Sequence, residues 1–320
     1  MRIAFLGGAG PVGEASVPRL LAAGHDVLVA HTGRHEPSAV AAAEHVHGER
    51  ADVLPLVRRW RPSVVVDTFA GGATAAKGLQ LSRLAERIGV RQVVAISSMD
   101  VYEHCADAGV DDARVLELSR HAVPLSEHAA LRSPHPTGTP HDNLAMERAL
   151  GGAAIVTTLR PGAVYGPSAT LHDRFLREWH LVGMVHRGER RLALPDGGTQ
   201  LFHRVALERV GRAIHAAIER GAGGPINVGD PNDLSYGALA GLVGERLGWT
   251  WEIEHVRWPD GDHPWNVRHP VLCDTTRLRT ELGVTEPDPR SATLATVDWL
   301  WQHREELAAR RAARRGAPRP

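Results

Sequence analysis

Gly7, Gly10 and Gly13 recur at three-residue spacing, with Pro11 and Val12 between the last two. The apolar run 3–6 precedes them and an amphipathic stretch follows, so the glycines occupy a strand-to-helix turn. Such a turn offers bare backbone N–H groups and the positive end of a helix dipole, which is what a pyrophosphate requires. Gly13 has the position that lets the helix pack closely on the strand. The spacing predicts a dinucleotide-binding loop; the other use of the same glycines is a tight turn with no ligand. At the end of the second strand an Asp or Glu would hold the ribose hydroxyls of NAD. The residues there are Ala30, His31, Thr32, Gly33 and Arg34, with no carboxylate before Glu36. Arg34 could meet a 2′-phosphate, so NADP is the expected cofactor, with NAD as the second choice. As an alternative, Arg34 is an exposed loop charge.

Composition bounds the rest. The 320 residues carry 37 basic and 37 acidic side chains, so no global field favours nucleic acid or an anionic membrane surface. No apolar run reaches the ~18 residues of a membrane span, and two cysteines, Cys105 and Cys273, make no disulfide framework. A cytoplasmic protein with a small-molecule substrate is expected. Lys77 is the single lysine, and Tyr102, Tyr165 and Tyr236 are the only tyrosines. Among the 19 histidines, His45 and His47 share one face of a strand, but the sequence shows no cysteine or carboxylate cluster to complete a site. Zinc needs three or four ligands, so no metal is expected.

Parallel strands must position these groups. The runs 3–6, 27–30, 64–66, 93–96 and 155–159 are short and rich in β-branched residues. Amphipathic stretches at 12–23, 52–60, 73–88 and 142–150 separate them. That alternation predicts an α/β fold, a Rossmann-type doubly wound parallel sheet with a smaller C-terminal α+β substrate lobe. The dinucleotide-binding domain spans 1–165, its sheet completed by parts of 200–230. The lobe takes most of 166–309, and 310–320 forms a basic, disordered tail. Residues 98–140 are an irregular excursion. Residues 192–194 and 200–203 flank Pro195, Asp196, Gly197 and Gly198 and read as a hairpin. Helices are expected over 171–186, 205–219, 234–247, 275–282 and 292–309.

The chain resembles the extended short-chain dehydrogenases/reductases, the epimerase/dehydratase type. The resemblance rests on the glycine loop and on Ile96-Ser97-Ser98-Met99-Asp100-Val101-Tyr102. It rests also on Leu159-Arg160-Pro161-Gly162-Ala163-Val164-Tyr165-Gly166-Pro167 and on the segments 226–229 and 274–278. It implies a nicotinamide cofactor and frequently a homodimer. It implies cofactor contacts from the glycine-loop residues Gly7, Gly10, Pro11, Val12 and Gly13. It extends them to Phe69, Ala70, Ser97, Pro161, Gly162, Ala163 and Val164.

That family works with a Tyr-x-x-x-Lys pair and a Ser. Ser98 matches the serine, but the residues four after each tyrosine are Ala106, Ala169 and Ala240. Thr139 stands where the tyrosine would be and Asn143 where the lysine would be. His141 is the nearest competent proton carrier, since histidine's unperturbed pKa of about 6.5 lies close to neutral pH. Ser98, His141, Asn143 and Thr139 are therefore the catalytic candidates. Asp100, Tyr102, Trp179, His263, Trp265 and Arg268 are the candidate substrate contacts. Three readings stay open. One is an atypical NAD(P)-dependent oxidoreductase or epimerase acting on a small polar, sugar-like or secondary-metabolite substrate. The second is a redox-neutral isomerase, lyase or cyclase, and the third a non-catalytic NAD(P)-binding sensor.

Overall fold

The computed structural model describes residues 1–69, 71–107, 123–136, 139–168, 178–258, 260–261 and 267–316. In chain order its strands begin with β1 (Arg2–Leu6), β2 (Asp26–His31), β3 (Glu44–His47), β4 (Val64–Asp67), β5 (Gln92–Ile96) and β6 (Ile155–Pro161). They continue with β7 (Ala163–Tyr165), β8 (Arg191–Pro195), β9 (Arg204–Ala206), β10 (Gly224–Val228) and β11 (Glu252–Val256). Seven of them form one parallel sheet in the order β10-β6-β5-β4-β1-β2-β3.

The central strands β1, β2 and β4 are mainly apolar because both of their faces are covered. Ile3, Phe5, Val27, Val29, Val64 and Val66 pack with Val17 and Leu20 of α1 (Pro11–Ala22) and Val210 and Ile214 of the helix Leu207–Arg220. Ala4, Leu6, Leu28, Ala30 and Val65 face Val53 and Val57 of α2 (Arg50–Trp60) and Leu81 and Leu84 of α3 (Ala75–Ile88). β1 lies between β2 and β4, so the chain leaves it in opposite directions. That reversal opens a crevice at the carboxyl edge of the sheet, where Gly7, His31, Asp67, Ser97 and Gly162 all lie.

A second core holds the lobe: Trp179, Leu181, Val182, Tyr236, Leu239, Val243, Val297 and Leu300. Arg204 is buried at its joint with the sheet, bonded to Glu178 at 3.1 Å and to Asp233 at 2.9 Å.

β3, the strand on which His45 and His47 share a face, is a half-buried edge strand, Glu-His-Val-His, with no apolar run. Three expectations are corrected. The hairpin is absent: β8 pairs in parallel with β11, and 196–198 turn as a short 3-10 helix. Two glycines after Pro195 make a turn possible, but the partner strand is chosen by lobe packing. The closing helix breaks at His303 into Pro289–Gln302 and Arg304–Gly316. The second piece carries helix through to Gly316, into the stretch expected to be disordered.

Candidate active site

The glycine loop begins where β1 ends. Gly7 has φ +76° and donates its amide to Ala30 O at 2.8 Å, tying the loop to the end of β2. Gly10 caps α1 without a side chain and Pro11 opens it. The first-turn amides of any helix lack intrahelical acceptors. A Cβ on Gly13 would stand 1.7 Å from Gly8 O, so this helix touches the loop backbone directly. A Cβ on Gly10 would meet nothing nearer than Gly7 O at 3.5 Å, so space lies open beside it. Ser97 Oγ, at the end of β5, is buried with no hydrogen-bond partner. Bare amides, open space and an orphaned hydroxyl on one sheet edge fit a dinucleotide diphosphate and its ribose.

Of the other expected cofactor contacts, Gly162 and Ala163 use their amides internally, on Val228 O and His203 O. With Pro161 and Val164 they can wall the crevice, not donate to it. Phe69 turns the chain at φ +50° and buries its ring in the core beneath Arg50, so its side chain is not a cofactor contact. Arg34 is largely exposed and paired with the exposed Glu49, at 3.2 Å. Ala70 lies outside the described residues.

Further along the same edge, four candidates converge. Ser98 Oγ accepts from the Asp100 amide at 3.2 Å, which leaves its O–H to donate. Asn143 Nδ2 stands 3.0 Å from both oxygens of Asp100 and 3.0 Å from His141 Nε2. His141 Nε2 is 3.8 Å from Asp100 Oδ2, with both side chains about half exposed. Asp142 holds the segment from behind: it caps the helix Asn143–Arg148 through Ala145 N and accepts from His135 N and Arg132. Burial acts to raise the Asp142 pKa, but those amides and the guanidinium outweigh it and hold the carboxyl below the usual range.

The imidazole tautomer follows from its neighbours. The Ala73 amide donates to His141 Nδ1 at 3.1 Å. A neutral imidazole has one acceptor nitrogen. The Gly72–Ala73 peptide is pinned at its carbonyl by Lys77 Nζ, at 2.7 Å, so this backbone donor stays in place, whereas a side-chain amide can share its hydrogens elsewhere. Nδ1 therefore accepts, Nε2 carries the hydrogen, and Asn143 donates to Asp100. The Ala73 contact exists because 72–73 lie against 140–142: Asp142 N donates to Ala73 O at 2.7 Å. Gly72, at φ +102°, permits it, since a Cβ there would meet Pro140 O at 2.5 Å. The Gly71-Gly72 pair was the one sequence signal for this approach.

Several candidates fall elsewhere. Thr139 Oγ1 donates to Pro136 O at 2.6 Å in an exposed turn and touches none of the cluster in the described hydrogen bonds. Lys77 Nζ donates to Gly72 O at 2.7 Å and so braces the loop behind His141. Tyr102 is fully buried, not a substrate contact. Its hydroxyl donates to Asn227 at 2.6 Å and accepts from Arg160 at 3.0 Å, and burial pushes its pKa up to about 12 despite that arginine. Trp179 packs in the lobe core and also edges a cleft with His180 and Met184. The Tyr102 reading failed because an aromatic in a polar motif does not reveal its own burial. Arg268 lies over the Trp258 ring at 5.6 Å. His263 and Trp265 lie outside the described residues.

The reason for expecting no metal is also corrected. His31 and Glu36 join His45 and His47, with one ligand atom from each within 4.8 Å of the others. The contributors come from two strands and the loop between them, so spacing alone did not connect them.

No protein-family model matches the chain, and no curated protein matches it. Solved structures do share its fold. MoeE5 in complex with UDP-glucose and NAD aligns at TM-score 0.68 and 21% identity, covering 96% of this chain and 100% of that one. The Thermus thermophilus UDP-glucose 4-epimerase complex with NAD gives 0.67 and 20%, over 93% and 98%. The Bordetella bronchiseptica enzyme WbmG with NAD gives 0.69 and 17%, over 95% and 94%. At these identities the likeness establishes the doubly wound fold with its lobe. Among the described residues no helix is long and apolar enough to cross a membrane.

Proposed function

We propose that this chain is a nicotinamide-dinucleotide-dependent enzyme of oxidoreductase or epimerase type, acting on a small polar, sugar-like substrate. The observation that carries the reading is the Asp100–Asn143–His141 cluster beside Ser98. Asn143, the residue matched to the family's lysine, joins His141 and Asp100 in a hydrogen-bonded, partly exposed set of polar groups, which supports the reading that this segment replaces the pair. The neighbours solved with NAD and UDP-glucose support the cofactor and substrate class. NADP is the preferred form in this reading, because His31 replaces the ribose-binding carboxylate and Arg34 is exposed enough to meet a 2′-phosphate.

When bound, a nicotinamide ring supplies hydride exchange with a carbinol or carbonyl carbon. The chain's own residues manage the oxygen. Ser98 O–H and His141 Nε2–H donate to it. The Asp100 carboxylate accepts the hydroxyl proton on oxidation and returns it on reduction, held in place by Asn143. His141 acts as a neutral donor, because protonating Nδ1 would set N–H against the Ala73 N–H. Sequence alone named His141 as a proton carrier without saying which nitrogen holds the hydrogen.

A redox-neutral proton abstraction is favoured by one observation: a carboxylate base beside a fixed neutral imidazole suits enolisation next to a carbonyl. The test is to titrate purified protein with NADP(H) and NAD(H), then follow turnover of nucleotide sugars by absorbance and by product analysis. Asp100→Asn should lower turnover by about a hundredfold or more and His141→Ala by a similar or smaller factor, with cofactor affinity nearly unchanged. Product formed with no cofactor bound selects the redox-neutral reading. Normal turnover in both variants refutes either.

A further inference from the structure

We propose that His31, Glu36, His45 and His47 form a binding site for a zinc-class divalent cation at the carboxyl end of β2 and β3. The backbone sets up the cluster. His31 ends β2 and registers beside His47 on β3, while His45 lies two residues earlier on β3, on the same face. Glu36 returns over them from the connecting loop.

The ligand atoms have the right separations. Bonds of about 2.0–2.1 Å at tetrahedral angles put neighbouring ligand atoms about 3.3 Å apart. Here His31 Nε2 to His45 Nδ1 is 3.0 Å, and His47 Nε2 to Glu36 Oε2 is 3.1 Å. Glu36 oxygens lie 3.7 Å from His31 Nε2 and 3.9 Å from His45 Nδ1. Three imidazoles and one carboxylate make a borderline donor set that suits zinc and its neighbours rather than calcium or magnesium. A carboxylate among the three rings opposes an anion there and leaves a cation as the occupant.

His45 is prepared as a ligand. Its Nε2 donates to Val40 O at 3.0 Å, which fixes the ring and leaves the Nδ1 lone pair facing the cluster. His31 needs one change. Its Nδ1 accepts from the Gly33 amide at 3.2 Å, so its hydrogen sits on Nε2. Metal binding moves that hydrogen to Nδ1, and the Gly33 amide turns away. His47 likewise carries its hydrogen on the ring nitrogen away from the metal. Each hydrogen moves between the two nitrogens of its own ring, so no proton is released. Gly33 has φ +76° and lies in an exposed turn, so the movement is local.

The experiment uses full-length, chelator-treated protein titrated with zinc chloride alone by calorimetry, with cobalt absorption as the second readout. One saturable site per chain is expected, with a cobalt spectrum of tetrahedral type and a shifted Gly33 amide resonance. His45→Ala should weaken zinc by at least about a hundredfold, since losing a ligand exceeds the effect of losing its support. Glu36→Gln, at an exposed position, serves if His45→Ala does not fold, and should also weaken binding. His215→Ala, in the separate three-residue cluster with His25 and Glu219, should leave the site intact. Equal zinc affinity in the unmodified protein, His45→Ala and Glu36→Gln overturns the proposal, as does no saturable binding.

Discussion

Two histidine-bearing clusters occupy the same sheet edge, and the backbone partner of each ring separates their chemistry. At His141 a backbone N–H, from Ala73, fills Nδ1 and leaves Nε2–H as a hydrogen-bond donor. At His45 a backbone carbonyl, from Val40, takes Nε2–H and leaves Nδ1 as an acceptor, which His31 Nε2–H fills at 3.0 Å until a cation displaces it. The first ring is suited to polarising a substrate oxygen, the second to holding a cation. Residue type alone is silent on this, because an imidazole presents whichever face its other nitrogen leaves free. The clusters also differ in their foundations. The His141 segment stands on a buried ion pair, Arg132–Asp142 at 2.9 Å, whereas Glu36 is an accessible carboxylate in a loop.

The largest effect should come from undercutting the first foundation. Asp142→Ala removes a helix cap and leaves the Arg132 guanidinium buried without its partner. It should cost about 3–5 kcal/mol in urea unfolding. The matched change, Glu36→Ala, should cost less than about 1 kcal/mol. Equal losses would abolish the contrast.

Acidification should sharpen it next. Burial first, then the charges of His47 and His45, lower the His31 pKa. A base whose folded pKa is lowered contributes stability above its unfolded value of about 6.5. That contribution is lost as pH falls from there through the folded value, because the unfolded chain takes the proton first. The melting temperature should therefore drop between pH 7 and pH 5, and His31→Gln should flatten that drop. Asp142 gives its contribution above about pH 4, the unfolded carboxylate value, and loses it only at still lower pH, so it should not share in this loss. A slope unchanged in His31→Gln would break the argument.

The smallest effect on stability belongs to Arg34→Ala. Its exposed pair with Glu49 is worth at most about 1 kcal/mol. The informative readout is affinity: the preference for NADP(H) over NAD(H) should narrow. An unmodified protein with no such preference would remove Arg34 from the site.

Much of the frame was legible in the residues. Strands buried on two faces must be continuous apolar runs, so β1, β2, β4, β5 and β6 announced themselves, and the glycine spacing at 7, 10 and 13 marked the turn after the first. β3 did not, because an edge strand buries little. The hairpin reading failed because a turn signal says where a chain reverses and not which strand it joins. Counting lysines and tyrosines in the sequence excluded the Tyr-x-x-x-Lys pair, and that needed no coordinates. The resemblance, rather than the count, directed attention to 139–143.

The sequence could not say that His141 would meet the amide of a residue 68 positions earlier, that Asp100 would join Asn143, or that Tyr102 and Trp179 would be core. Nor could it gather His31, Glu36, His45 and His47. Local pattern fixes which segments are strands and helices, since burial on one or two faces imposes a period. Which polar atoms meet, and which ring nitrogen keeps its hydrogen, depends on backbone brought together from distant segments, and only the tertiary fold supplies that.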